Sequence, residues 1–186
     1  FTLTGAGEIV MAQGKAREAL GLFRRALDLD SSVAAYWFNL AKAQLALNER
    51  VAARQSLQAS IDIDKDSLPA NSALALLEAR EGFIDKGLDI AKELQVRYPD
   101  NAVPASLEGD ILITGKRYSD AVVAYTRAYS LKPSGPIAIR AYQSATQAGQ
   151  SDSGKYLQTW LADNPDDGAV LTVLAQHYHA SGDVEA

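Results

Sequence analysis

The sequence contains no cysteine, two histidines and one methionine, and only 8% of its 186 residues are aromatic. Each shortage removes a class of chemistry. Without cysteine there is no disulfide, no thiolate nucleophile and no cysteine-ligated zinc, although a disulfide-free chain is at home in either redox environment. His177 and His179 stand two positions apart, which on a helix points them about 200° from one another. They cannot close on one metal as an i, i+4 pair does and read as surface or interface histidines. No run approaches the roughly 18 to 20 uninterrupted apolar residues of a membrane span. The 18 basic and 23 acidic residues sum to -5 and are mixed along the chain, with no basic stripe. That argues against nucleic acid, whose binding needs neutralised phosphates, and leaves polysaccharide contact open.

The remaining chemistry-bearing residues do not converge. Asp28 and Asp30, Asp62, Asp64 and Asp66, and Asp166 and Asp167 fall at helix ends and turns, without the glycine and distal glutamate of a calcium loop. They read as solvated turn residues. Gly5 and Gly7 occur in GAG with neither the spacing nor the preceding strand of a dinucleotide fingerprint. The expectation is therefore a protein that is not an enzyme, with no metal and no cofactor.

What is present is a period. Residues 105–133, ASLEGDILITGKRYSDAVVAYTRAYSLKP, read as two amphipathic helices joined by a tight turn. The first keeps Leu107, Ile111 and Leu112 on one apolar face, with Gly109 where a neighbouring backbone can come close. Gly115 breaks the pattern. Ser119 is a candidate N-cap for the second helix, which carries Ala121, Tyr125, Ala128 and Tyr129 before Pro133 prevents continuation. The same residue classes return at intervals of about 34. Upstream stand Gly7, Gly14, Ala19, Phe23 and Ala26, then Trp37, Leu40, Ala41, Ala53 and Leu57, then Leu74, Ala75, Gly82, Gly87, Ala91, Leu94 and Pro99. Downstream, IAIRAYQSATQAG and SGKYLQTWLADNP form a pair whose second helix fits only with a deletion of about two residues against that period. Leu171, Leu174, Ala175, Tyr178 and Gly182 outline a last first-helix.

These positions resemble the signature of the tetratricopeptide repeat, with Glu108 departing where that family usually has leucine. The resemblance implies an all-α, right-handed superhelical solenoid of antiparallel helix pairs. It divides a single array into 1–33, 34–67, 68–101, 102–135, 136–167 and a partial unit 168–186. Phe1 falls inside a first helix and Ala186 just after one, so the chain is expected to be a fragment of a longer protein, with any lipid anchor or further domain outside it.

The resemblance also implies a ligand in a groove lined by the first helices. Carried over unit by unit, that groove holds Glu8, Phe38, Asn39, Lys42, Arg80, Ser106, Asp110, Arg140, Ser144, Gln147 and Gln176. Phe38 stands out among the aromatics, being turned about 100° from Trp37 and its buried face. A chaperone-type clamp for a C-terminal carboxylate is rejected, because only Asn39 matches it while Thr4, Glu8 and Ala35 stand where basic or amide groups would be needed.

A narrower likeness rests on Leu107 to Asp110, Lys116 to Tyr118, Lys132 to Gly135, Trp160 and Leu161, Asn164 to Asp167, and a short second helix before Trp160. These resemble the C-terminal repeats of the long repeat lipoproteins of bacterial exosortase and PEP-CTERM exopolysaccharide systems. That implies a scaffold tethered to the outer membrane, in the periplasm, serving polysaccharide export or surface-protein sorting. The alternatives are a cytoplasmic adaptor or regulator and an accessory domain of a glycosyltransferase-type enzyme.

Overall fold

The computed structural model describes residues 2–181. Phe1 and residues 182–186 lie outside them, including Gly182, assigned above to the last helix. Among the described residues there are eleven α-helices and no strand. In chain order they are α1 (Leu3–Ala12), α2 (Ala16–Leu29), α3 (Ala34–Ala46), α4 (Arg50–Ile63), α5 (Leu68–Arg80), α6 (Ile84–Arg97), α7 (Ala102–Thr114), α8 (Tyr118–Leu131), α9 (Gly135–Gln147), α10 (Lys155–Asp163) and α11 (Gly168–Ser181). This all-α succession of helix pairs is the one expected from the tetratricopeptide resemblance. Contacts divide the chain into two compact units, Phe1–Leu77 and Glu78–Ala186, with the division inside α5.

In the first unit α1 packs on α2, α2 on α3, and α3 on α4. Phe23 is buried among Ala19, Leu20, Leu40 and Ala43, with Trp37 against the edge of the cluster. Gly7 lies directly on the Phe23 ring, with no room for a side chain between them. Small residues and one large ring thus share the interface, which lets α1 and α2 approach closely while the ring fills the space. Two polar bonds tie neighbouring segments: the Trp37 indole donates to the Ser31 carbonyl at 2.9 Å and the Ser60 hydroxyl to the Ala34 carbonyl at 2.9 Å.

The second unit repeats this construction. α7 packs on α6 and α8, α9 on α8 and α10, and α11 on α9 and α10. Tyr125, 1% exposed, takes the place that Phe23 holds in the first unit, and Gly109 the place of Gly7. Ala102, Ala105 and Ala128 form a close contact capped by Ile137. Near the chain's end Gly135 leaves room for Asp167, Val170 and Trp160.

The period is written in the backbone as well as in the packing. Positive φ angles occur at Gly14, Asn48, Gly82, Lys116 and Gly149, a spacing of about 34 residues. Each lies in the turn between the two helices of a pair, where a left-handed residue reverses the chain. Gly115, where the sequence pattern breaks, is the C-cap of α7 with φ -81°, and the left-handed residue is Lys116 just after it. Ser119, by contrast, does not cap α8. The N-cap is Arg117, without a side-chain cap, and its guanidinium pairs instead with Asp120 at 2.8 Å.

Side-chain caps appear at three other helix starts. Thr2 accepts from the Gly5 N–H at 3.2 Å, Asn101 from the Val103 N–H at 2.9 Å, and Asp167 from the N–H groups of Ala169 and Val170, both at 3.1 Å. Asp167 also accepts from the Trp160 indole at 2.8 Å. That indole bond, followed by the cap, holds its carboxyl below the usual range. The turn Asn164 to Asp167 is therefore a joint between α10 and α11 that includes a structural carboxylate.

Candidate functional site

The residues implied as a ligand-binding face sit on α1 and α3 in the first unit and on α5, α7, α9 and α11 in the second. In the first unit the Asn39 amide donates to Glu8 Oε1 at 3.1 Å, joining α3 to α1. Asn39 is only 6% exposed. Its amide is thus committed to Glu8, which leaves the sole residue matching a carboxylate clamp already engaged. Phe38 and the exposed Lys42 lie one turn apart on α3, the ammonium 5.7 Å from the ring centroid. This is a cation–π pair at the surface, of roughly 0.5 to 1 kcal/mol.

In the second unit the site is organised around Asp110 on α7. Its Oδ1 accepts from the Tyr125 hydroxyl at 2.5 Å and lies 3.3 Å from Arg140 Nη1 on α9. One carboxylate therefore links three helices. Burial, reinforced by that hydrogen bond and by the negative charge of Asp110, pushes the Tyr125 phenol well above the ordinary tyrosine range. Tyr125 accordingly remains a neutral donor, and the arrangement positions charge without activating a nucleophile. The Arg140 side chain is 52% exposed and that of Asp110 33%, so both remain within reach of a partner.

The other expected residues divide between surface and interior. Arg80, Gln147 and Gln176 are exposed and Ser106 is half-buried. Ser144 is 1% exposed, and its hydroxyl donates to the Arg140 carbonyl at 2.8 Å. Although expected on the ligand-facing side, it is enclosed where α9 meets its neighbours and serves the helix that carries Arg140. His177 on α11 meets Tyr142 on α9 edge-on, with centroids 5.4 Å apart, while His179 is exposed. Among the described residues no group of three or more His, Cys, Asp or Glu is placed to hold a metal.

Two constellations escape the sequence pattern. Helical spacing assigns Tyr125 to packing alone and gives no sign of its hydroxyl bond to Asp110. The second comprises Gln95, Glu108 and Arg127 on α6, α7 and α8. The Gln95 amide donates to Glu108 at 2.9 Å and accepts from the Arg127 guanidinium, which stands 3.7 Å from Glu108. The signal for it is the departure from leucine at Glu108, which is offset by polar bonds to both flanking helices. The adjoining cavity of about 300 Å³ holds acids and bases that already pair with one another, Arg117 with Asp120 at 2.8 Å and Lys92 with Asp89 at 3.9 Å.

Residues 4–67 match the tetratricopeptide repeat family. No curated protein matches the chain. Among solved structures it is similar to a thermophilic tetratricopeptide protein of Thermus thermophilus, at 19% identity and TM-score 0.74, covering 94% of this chain and 96% of that one. It is also similar to MamA of Desulfovibrio magneticus, at 11% identity and TM-score 0.69, covering 89% and 96% respectively. Yeast Tom70 aligns at 18% identity and TM-score 0.75 over 89% of this chain and 36% of its own. At these identities the likeness shows the fold. The matched segment and the shared fold together support the tetratricopeptide repeat superfamily, whose architecture generally binds protein partners. No helix among the described residues is long and apolar enough to cross a membrane.

Proposed function

We propose that this chain is a protein–protein interaction scaffold without catalysis of its own, which docks a protein or peptide against its first helices. The observation that carries this is the Asp110, Arg140 and Tyr125 arrangement. Its charged groups are held by bonds within the protein yet remain partly open to solvent. A partner meeting such a surface loses less to side-chain ordering than one meeting mobile side chains.

The process served is export of exopolysaccharide or sorting of surface proteins at a bacterial envelope. This reading is supported by the resemblance carried by Leu107 to Asp110, Lys116 to Tyr118 and Asn164 to Asp167. It is supported also by α10, whose nine residues form a short second helix containing Trp160.

Affinity capture from the source cells tests the docking surface. Arg140→Glu is expected to reduce recovery of the partner at least tenfold, roughly the 1.4 kcal/mol that a charge clash at a partly exposed contact readily supplies. Val96→Ser, at an exposed position on α6, is expected to leave it unchanged. Equal recovery by both variants would refute docking at this face. The envelope assignment is tested by the gene sequence upstream of Phe1. A signal peptide ending in a lipobox cysteine supports it, and a plain cytosolic start removes it.

A further inference from the structure

Helix α10 is nine residues long where α8 has fourteen. Beside the first turn of α10 a cavity of about 240 Å³ opens against α8 and α9. Ala138 and Ala141 contribute small apolar side chains from α9, and the rings of Tyr129 and Tyr156 contribute aromatic surface from α8 and α10. Trp160 meets Tyr129 edge-on, with planes at 84° and centroids 6.5 Å apart, which fixes that ring in place. Thr126 and Thr159 also line the cavity, but each hydroxyl donates to a carbonyl of its own helix, of Val122 and Lys155 respectively, at 2.8 Å. Neither offers a free donor to an occupant.

The remaining lining residue is Lys155. Its ammonium stands 5.4 Å from the Tyr156 ring centroid and 3.7 Å from Asp152, both side chains being largely exposed. An exposed pair of that length contributes little, so an incoming carboxylate can replace Asp152.

We propose that this cavity is an anchor pocket for one aromatic side chain of a partner peptide, with an acidic residue beside it that meets Lys155. An apolar cavity of about 150 Å³ accepts benzene, so this one has room for a phenyl or indole ring. Tyr129 and Tyr156 present ring faces and edges that favour a third ring over an aliphatic chain. The cation selects an acidic neighbour and disfavours a basic one. The proposal rests on the scaffold reading for the existence of a partner, but it uses a surface apart from the Asp110 and Arg140 site.

The test is titration of the whole chain, followed by amide NMR, with the capped tripeptides Asp-Trp-Asp and Asp-Ala-Asp. The tryptophan peptide is expected to shift resonances of Tyr129, Ala141 and Tyr156 with a dissociation constant on the order of 1 mM, as suits a single anchored side chain. The alanine peptide is expected to shift none of them. Thr159→Trp, which fills the mouth from an exposed position, should weaken the interaction at least tenfold. Lys155→Glu should do so for Asp-Trp-Asp but not for Asn-Trp-Asn. Equal binding of the tryptophan and alanine peptides, or binding indifferent to both substitutions, overturns the pocket. Partner capture that remains sensitive to Arg140→Glu while the peptides fail would refute the pocket alone. Failure of both would refute the scaffold.

Discussion

Replacing Tyr125 by alanine is expected to destabilise the second unit by about 3 to 5 kcal/mol, the range for removing a large ring from a packed interior. The ring is 1% exposed and lies where α7 and α8 meet, so its loss opens a cavity that helices on both sides support. Tyr125→Phe should cost far less, roughly 1 kcal/mol for one hydrogen bond, because Asp110 keeps Arg140 as a partner. Urea denaturation followed by far-UV circular dichroism reads both. A loss under about 1 kcal/mol for Tyr125→Ala would show that the ring does not close the α7–α8 interface.

Gly109→Ala carries the second large effect, and its sign is the test. In an exposed helix interior this change stabilises by about 1 kcal/mol, since alanine has the higher helix propensity. At Gly109 the added Cβ would stand 2.6 Å from Tyr125 Cζ and 2.8 Å from both Cε atoms. The ring cannot swing aside, because it is enclosed and its hydroxyl is anchored on Asp110. A net loss of about 1 to 3 kcal/mol is expected from overpacking. Gly21→Ala is the control. It lies on the exposed side of α2 with nothing near its would-be Cβ, and should raise the melting temperature slightly. If both glycines respond with the same stabilisation, the close approach of α7 to Tyr125 is wrong.

The contrast between these glycines shows how far the sequence can be read. Ala121, Tyr125 and Ala128 are recognisable together because helical spacing puts them on one stripe of α8, with Gly109 the small residue on the preceding helix, and the structure buries all four. Ser144 is less legible. Its spacing places it near the ligand-facing side, but the width of the face that α9 buries depends on how α8 and α10 lean against it. Lys116 shows a related limit: the pattern breaks at Gly115, which does end α7, but it gives no sign that the left-handed residue of the turn is the lysine that follows.

The sequence by itself determined the period, the helix pairs, the contacts between small residues and rings, and the lack of any cysteine chemistry. These follow from local rules, because helical periodicity and residue size act over a few neighbouring positions. Only the tertiary structure decided which polar groups meet. It brought Asp110 to Tyr125 and Arg140, Glu108 to Gln95 and Arg127, and Trp160 to Asp167. It also opened the cavity beside the short α10. The physical reason is one of scale. A hydrogen bond is made or lost over about 0.5 Å, whereas the rotation and tilt that bring two helices together move side chains by more than that, and the repeat pattern leaves both undetermined.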